Sequence, residues 1–488
     1  MILLYYPKLT KPKNRRFPLS IIALAAVLEG REEYEIVDGN LDPEPDATLA
    51  RLMKTHRVEL LGVSVMPGPQ MVSAMHSCRV FREQFPSVPI VWGGYFPSLY
   101  RDATLNTKYV DYGVRGQGET TLLELIEAIR GKRDFGSIAG LSWKDDAGRR
   151  IHNPERGMES PDDFPWIPYD RLPVVSYLRP SFFGKRTGAH QASIGCPFQC
   201  TFCAVHEAFG SKQKMESPAR TEAVLRHLVR DYGMDGVQFY DMNFFVNESH
   251  TCELMERIAP LNLHWWCEGR IDAINRYSEM TLKLIRRAGC TMIFFGAESG
   301  SNRTLQDMKK GITTEQTLSV ARRLREADII PEFSFVIGNP RDPEVDTHET
   351  IAFIRTIKSI NPASEIIMQH YTPVPQRDSK MYGGIDGLVD FPSTPEEWAT
   401  PRWYNFTIRV NPSMPWLKPR TKRLIDNFET VVATRWPTVQ DIHASRLSRA
   451  LLSALGSWRY LTRIYSAPAE LRLAQDWVRL RRPKVESV

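Results

Sequence analysis

The chain has 488 residues and a formal net charge of +6, with 42% hydrophobic and 25% charged residues. That length exceeds what one hydrophobic core usually organises, so we expect two or three domains. The composition is ordinary for a globular chain, and the mild charge says little about nucleic acid. We find no apolar run long enough to span a bilayer, and the apolar start at Met1–Tyr6 is too short for a signal peptide.

Residues 1–131 are predicted to alternate between strands and helices. Strands are expected over residues 2–6, 34–37, 60–65, 89–92 and 109–114, with helical stretches between them. This alternation indicates an α/β domain with a Rossmann-like, doubly wound parallel sheet. Glycines cluster where the last two strands end, and such sheets bind ligands at this carboxyl edge.

Residues 132–188 are predicted to be a connector. Leu141–Lys144 and Arg149–His152 flank an Asp-Asp-Ala-Gly turn and indicate a β-hairpin. The stretch over residues 161–165 is rich in proline and aspartate, as expected of a linker between domains.

Three cysteines stand close together in the next segment. Cys196, Cys200 and Cys203 have the spacing C-x3-C-x2-C, which lets one loop hold a 4Fe–4S cluster and leaves one iron without a protein ligand. One alternative is zinc with His206 as a fourth ligand, although the paired knuckles of a zinc ribbon are absent. The other is a set of buried thiols that ligate nothing.

The remaining cysteines give information about the compartment. Cys78, Cys252, Cys267 and Cys290 are scattered over strand- or helix-like segments and are predicted to be buried thiols. Free thiols and an oxygen-sensitive cluster both indicate a reducing compartment, so we expect a cytoplasmic protein.

The cysteine motif, with Phe202 before its last cysteine, resembles the signature of the radical S-adenosylmethionine (SAM) superfamily. The resemblance implies that the open iron is chelated by SAM and that one electron from the cluster cleaves SAM to methionine and a 5′-deoxyadenosyl radical. It also implies that the ring of Phe202 shelters the adenine.

Residues 189–385 repeat a strand–helix unit six times, counting a first strand over residues 191–194. The active groups of such barrels gather at the carboxyl ends of the strands, and the resemblance implies a partial (β/α)6 barrel. It places the SAM amino group at Asp241 and Asn243, and the carboxylate, ribose or sulfonium at Glu268, Arg270 and Glu298. Gly338 and Asn339 correspond to the segment that lines the adenine.

The N-terminal half is similar to the cobalamin-binding domain of B12-binding radical SAM proteins, best over residues 92–94 and 114–119. The resemblance implies a corrin site formed by the following residues: Ser64, Gly93, Gly94, Arg115, Gly116 and Gly118. The loop over residues 6–18 contains no histidine, so cobalamin is expected without a protein imidazole below the cobalt. The alternative is a docking domain whose glycines serve only as turns.

Residues 386–488 are predicted to be a helical C-terminal region. Over residues 445–465, apolar side chains recur every three or four positions with arginines off that stripe, which indicates an amphipathic helix. We expect it to pack on the barrel with a solvated basic face. Contact with a membrane surface or with an anionic substrate are the alternatives.

The function predicted from these features is hydrogen abstraction from a small-molecule substrate, leading to cobalamin-dependent methylation of an unactivated carbon. The alternative is radical SAM cyclisation, dehydration or rearrangement without methyl transfer. An electron donor such as flavodoxin or ferredoxin is implied, and no nucleic acid is expected. The sequence assigns no catalytic residue; the candidates for the substrate pocket are Trp265, Gln369 and Tyr371, with Trp266, His370 and Gln376.

Overall fold

The computed structural model describes residues 1–10, 15–374, 389–408 and 414–480. Its N-terminal sheet has the strand order β2-β1-β3-β4-β5-β6-β7, in which the first five strands are parallel and the last two antiparallel. The strands are β1 (Ile2–Tyr6), β2 (Tyr34–Asp38), β3 (Leu60–Ser64), β4 (Ile90–Gly93), β5 (Tyr112–Val114), β6 (Leu141–Lys144) and β7 (Arg150–His152). The predicted Rossmann-like sheet is therefore confirmed.

The predicted hairpin is part of this sheet. Its first strand, β6, pairs antiparallel with β5, so the segment assigned to the connector extends the sheet beyond residue 131. The domain boundaries themselves stay a prediction. Six helices cover the two faces: α1 (Leu19–Leu28), α2 (Pro45–Thr55), α3 (Pro69–Gln84), α4 (Tyr95–Leu99), α5 (Arg101–Leu105) and α6 (Glu119–Ile129). Because both faces are covered, β1 and β3 are buried along their whole length.

The second sheet is the predicted partial barrel. Its strands are β8 (Thr187–His190), β11 (Gly236–Phe239), β12 (His264–Gly269), β13 (Cys290–Glu298), β14 (Ile330–Ile337) and β15 (Glu365–His370), and neighbours pair in parallel in this order. The first strand begins earlier than predicted. The segment before the cysteines instead forms β9 (Ser193–Gly195), which pairs antiparallel with β10 (Gln213–Met215) in a separate ribbon.

The barrel helices are α7 (Ala204–Phe209), α8 (Pro218–Tyr232), α9 (Glu248–Ile258), α10 (Ile271–Arg276), α11 (Glu279–Arg287), α12 (Asn302–Asp307), α13 (Thr314–Glu326) and α14 (Pro343–Ile360). Five of them start where a side chain accepts a hydrogen bond from the first turn. Ser217, Asn247, Ser278 and Thr313 are side-chain N-caps of this kind. The caps explain why each of these helices starts one residue after a polar position.

The C-terminal helices contact both halves. They are α15 (Pro395–Trp398), α16 (Pro401–Thr407), α17 (Pro419–Arg435), α18 (Arg446–Thr462) and α19 (Ala469–Trp477). Trp398, Trp403 and Phe406 join the core of the N-terminal sheet, whereas α17 packs on α14 of the barrel. Nowhere in the described residues is a helix both long and apolar enough to cross a membrane.

The predicted packing of α18 is wrong. Its apolar stripe faces solvent, with Leu447 and Leu461 each 70% exposed. The buried side of the helix contains Gly456 and Arg459, and a side chain at Gly456 would collide with the backbone of Arg435 in α17. The close approach of two helix backbones therefore decided which face is buried.

Candidate functional site

The cysteine loop runs from β9 to α7 and is held at both ends. Gly195 has a φ of +78°, in the left-handed region, which turns the chain into the loop. On the far side, the backbone N–H of Thr201 donates to the carbonyl of Met308 over 3.1 Å. These contacts keep the three cysteines on one short, turned segment.

Asp241 supports the entrance to this loop. Its carboxylate accepts from the Ser193 hydroxyl over 2.5 Å and from the Ala192 backbone N–H over 3.2 Å. Burial raises the pKa of Asp241 to about 6. The structure thus gives Asp241 a positioning function, and its predicted contact with SAM stays a prediction.

A cavity of about 350 Å³ lies between the two sheets and contains all three cysteines in its wall. Phe202, Glu268, Arg270, Glu298 and Gln369 from the sequence analysis also line it. Met66 and Tyr95 come from the carboxyl edge of the N-terminal sheet, and Trp398 and Phe406 from the C-terminal region. Three parts of the chain therefore form one site.

Arg270 lies beside the cysteine loop. Its Nε donates to Asp272 over 2.9 Å, its guanidinium carbon lies 3.6 Å from the centre of the Phe198 ring, and one terminal nitrogen is 3.8 Å from the sulfur of Cys200. The group is buried with one ion-pair partner. The other terminal nitrogen donates to the carbonyl of Lys310 over 2.5 Å, and the guanidinium can offer its remaining N–H groups to a carboxylate or to sulfur in the cavity.

Glu298 is directed into the cavity by a backbone irregularity. Its φ is +62°, and the pairing of β13 with β14 shifts register between Gly296 and Glu298, as at a β-bulge. Bulges re-aim side chains beside functional sites. A side chain at Gly296 would fall 2.0 Å from a carboxylate oxygen of Glu298 and 2.5 Å from Nζ of Lys310, so it would displace this ion pair.

Lys310 is a functional candidate that sequence reasoning missed. Its Nζ lies 2.6 Å from the Glu298 carboxylate and 5.6 Å from the centre of the Phe202 ring, and it lines the cavity. Burial acts to lower the pKa of Lys310, but the Glu298 carboxylate raises it above its usual value. The residue follows α12 rather than a strand, so the pattern of polar residues at strand ends did not indicate it.

The other residues assigned to SAM do not line this cavity. The Gly338 carbonyl accepts from the Trp416 indole over 3.0 Å, and the Asn339 amide donates to the carbonyl of Val336 over 2.9 Å. In the described part of the chain, both polar side-chain atoms of Asn243 and the Oδ1 of Asn339 are buried without a hydrogen-bond partner. Orphaned atoms of this kind suit contact with a ligand, and these assignments stay predictions.

Of the substrate candidates, Gln369 lines the cavity and Trp265 does not. Trp265 is fully buried, donates to the carbonyl of Ala288 over 2.8 Å and packs against Phe239 and Phe244, so it is a core residue. Tyr371 lies behind the cavity wall against Trp416. The indole of Trp266 donates to Glu332, His370 lies 3.7 Å from Asp426, and Gln376 lies outside the described residues.

The glycines predicted to seat cobalamin differ in the space they leave. A side chain at Gly93 would meet nothing closer than 4.0 Å, whereas one at Gly94 would meet the backbone oxygen of Val65 at 3.0 Å. The Ser64 hydroxyl lies 2.9 Å from that of Ser20. Gly118 leaves ordinary contact distances of 3.5 Å or more. The open space at Gly93 leaves room for the flat corrin ring of cobalamin at the carboxyl edge of the sheet.

Gly116 and Arg115 line a second cavity of about 410 Å³ beside α7. The Arg115 side chain is 1% exposed, its guanidinium pairs with Glu155 over 2.5 Å, and it donates to the carbonyl of Leu141. The structure therefore uses Arg115 to tie the connector to the sheet. Its predicted contact with cobalamin has no support from this geometry.

The donor set fits an iron–sulfur cluster better than a zinc ion. His206, the proposed fourth zinc ligand, bonds to the Ser211 hydroxyl over 3.0 Å and lines the second cavity. Across the described ranges, no group of three or more Cys, His, Asp or Glu side chains is spaced to hold a single metal ion. Three thiols around an open cavity suit a cluster that exposes one iron to a small ligand.

The fold and site define an α/β iron–sulfur enzyme with its cavity between a Rossmann-like sheet and a partial barrel. Residues 191–354 match the model of the radical SAM superfamily, and residues 9–126 match that of the B12 binding domain. The chain therefore belongs to the radical SAM superfamily, in the class that has a B12-binding domain. This confirms the resemblance seen in the sequence.

Known methyltransferases and a known cyclase are similar to the chain. It is 27% identical, over 70% of its length and 73% of the relative, to an uncharacterized methyltransferase of Pyrococcus horikoshii. It is 26% identical, over 76% of its length and 73% of the relative, to the anaerobic magnesium-protoporphyrin IX monomethyl ester cyclase of Synechocystis. The solved radical SAM methyltransferase TsrM from Kitasatospora setae, with cobalamin and a 4Fe–4S cluster bound, has a TM-score of 0.67 at 18% identity, over 98% and 99% of the two chains.

Proposed function

We propose that the protein is a cobalamin-dependent radical SAM methyltransferase that acts on an unactivated carbon of a small molecule. When bound, the cluster and SAM supply a 5′-deoxyadenosyl radical for hydrogen abstraction, and cobalamin supplies the methyl group. The observation that carries the proposal is the shared cavity. Its wall contains Met66 and Tyr95 of the B12-binding domain together with the three cysteines and Glu298 of the barrel. A domain that served only for docking would close this interface with side chains.

Different residues of the cavity bind the cluster, bind SAM and exclude water. Cys196, Cys200 and Cys203 hold the cluster. Arg270 and Lys310 bring two positive charges to the cysteine loop, where they attract the carboxylate of SAM, and Glu298 can accept from its ammonium or ribose hydroxyls. The aromatic wall formed by Tyr95, Trp398 and Phe406 excludes water from the reacting carbon.

The alternative is radical SAM chemistry without methyl transfer, and the likeness to the Synechocystis cyclase favours it. The methyltransferase relative is matched over a similar share of the chain with comparable identity, and it supports methylation. A cytoplasmic location and an electron donor of the flavodoxin or ferredoxin type are further parts of the proposal. The reducing compartment is supported by cysteines that are all free in the described chain.

The test is anaerobic reconstitution with iron, sulfide, cobalamin and SAM, with dithionite added as the reductant that supplies the electron for SAM cleavage. Methylation should give S-adenosylhomocysteine together with 5′-deoxyadenosine, and the protein should retain corrin absorbance after gel filtration. Gly93→Leu should lose the corrin and keep the cluster, because it adds bulk at an open edge without backbone strain. Gly157→Leu is the matched control, since Gly157 is exposed with no neighbour within 4 Å.

The products separate the two functions. Retained corrin with S-adenosylhomocysteine supports methylation. If wild-type protein retains no corrin and yields only 5′-deoxyadenosine and methionine, methylation is refuted and the non-methylating alternative stands. A protein that cleaves no SAM despite a full cluster would contradict both.

A further inference from the structure

The last two helices expose an unusual amount of apolar surface. Of the fourteen large hydrophobic side chains that are exposed in the described part of the chain, nine lie between residues 442 and 477. We call them the apolar face: Ile442, Leu447, Leu451, Leu455, Trp458, Leu461, Ile464, Leu473 and Trp477. Clustered exposed apolar residues mark an interaction site.

The exposure follows from the packing of α18. The buried side of the helix contains Leu452, Gly456, Arg459 and Tyr460. Arg459 pairs with Glu470 and donates to the carbonyl of Ser466 over 2.7 Å, so its charge is satisfied inside the helical layer. Because this side is fixed against α17 and α19, the apolar face has to point outward.

The segment that contains this face has a net positive charge. Residues 442–488 contain nine Lys or Arg and three Asp or Glu, so their formal charge of +6 equals that of the whole chain. The preceding 441 residues are therefore electrically balanced. Arg446, Arg463 and Arg479 are exposed, and none has an ion-pair partner among the residues that the structure describes; we call these three residues the arginine rim.

We propose that the apolar face and its arginine rim bind the surface of an anionic lipid bilayer. Leu and Ile side chains enter the boundary between headgroups and acyl chains, Trp458 and Trp477 lie at the interface, and the arginines contact acidic headgroups. The membrane is bound from one side and not crossed. This proposal does not depend on the reaction that the enzyme catalyses.

A second copy of the chain fits the face less well. A twofold interface brings the same patch of both subunits together. It would oppose the two arginine rims, and like charges in contact repel each other. An anionic surface, in contrast, neutralises the rim while covering the apolar side chains.

The experiment measures co-sedimentation of the full chain with sucrose-loaded vesicles. Vesicles of phosphatidylcholine and phosphatidylglycerol should bind it, and binding should fall with salt; vesicles of phosphatidylcholine alone should bind it much more weakly. Leu451→Glu combined with Trp458→Glu should weaken binding by more than about tenfold, because both side chains insert. Arg446→Glu combined with Arg463→Glu should weaken it specifically on the anionic vesicles.

Matched controls lie on α11, away from the face. Met280 is 81% exposed, so Met280→Glu changes an exposed apolar side chain in the same way, and Arg287→Glu reverses an exposed charge. Neither control should alter binding, and every variant should keep its cluster and its rate of SAM cleavage. Binding to neither vesicle, or equal binding to both, overturns the proposal. So does a wild-type dimer that Leu451→Glu converts to a monomer while vesicle binding is absent.

Discussion

Replacing Gly195 by alanine tests whether the geometry of the cysteine loop depends on this one backbone position. Gly195 has a φ of +78°, and a residue with a side chain in this left-handed conformation costs about 1–2 kcal/mol of folding free energy. The new methyl group would also lie 2.4 Å from the backbone oxygen of Lys212 and 2.7 Å from the end of Met158. Overpacking of this kind typically costs about 1–3 kcal/mol. Because Lys212 precedes β10, relief requires opening the β9–β10 pairing.

We therefore expect Gly195→Ala to fold with a displaced cysteine loop and to hold much less iron after anaerobic reconstitution. The measurements are iron and sulfide per chain, the visible absorbance of the cluster and the midpoint of thermal unfolding. Gly148→Ala is the control, since Gly148 in the β6–β7 turn has a φ of +74° with nothing within 4 Å of the added methyl group. It shares the positive φ and lacks the collision. A full cluster in Gly195→Ala, or equal losses in both variants, would refute the reasoning.

Three further predictions concern single side chains. Cys200→Ala should abolish the cluster and SAM cleavage, whereas Cys252→Ser should keep both because Cys252 lies on α9, outside the cavity. Lys310→Met leaves the Glu298 carboxylate unpaired in the cavity and should weaken SAM binding, measured by equilibrium dialysis, by about 1–3 kcal/mol; unchanged affinity would exclude a function for Lys310 in the site. Burial lowers the pKa of Lys358 to about 7. Between pH 7 and the higher pKa that this lysine has in the unfolded chain, the unfolded state binds one more proton than the folded state, so the free energy of unfolding rises with pH by up to about 1.4 kcal/mol per pH unit. Lys358→Met should flatten that part of the pH profile of unfolding, and an unaltered profile would contradict the lowered pKa.

The local patterns of the sequence predicted much of the fold and part of the site. The spacing of Cys196, Cys200 and Cys203 depends only on a short loop, so it predicted a cluster without a tertiary structure. Strand–helix alternation predicted both sheets because it reflects burial on both faces of parallel strands. Polar residues after strands pointed to Glu268, Arg270 and Glu298, since the carboxyl ends of parallel strands meet at one edge.

Contacts between distant segments decided what the sequence left open. Lys310 enters the site because α12 returns the chain to Glu298, which no periodicity records. Trp265 was placed in the pocket by its residue type, but the side of the strand it occupies faces the helices. The outward direction of the stripe on α18 depends on the close approach at Gly456 and on the burial of Arg459. An amphipathic pattern shows that a helix has two faces, and only the packing of its neighbours determines which of them meets solvent.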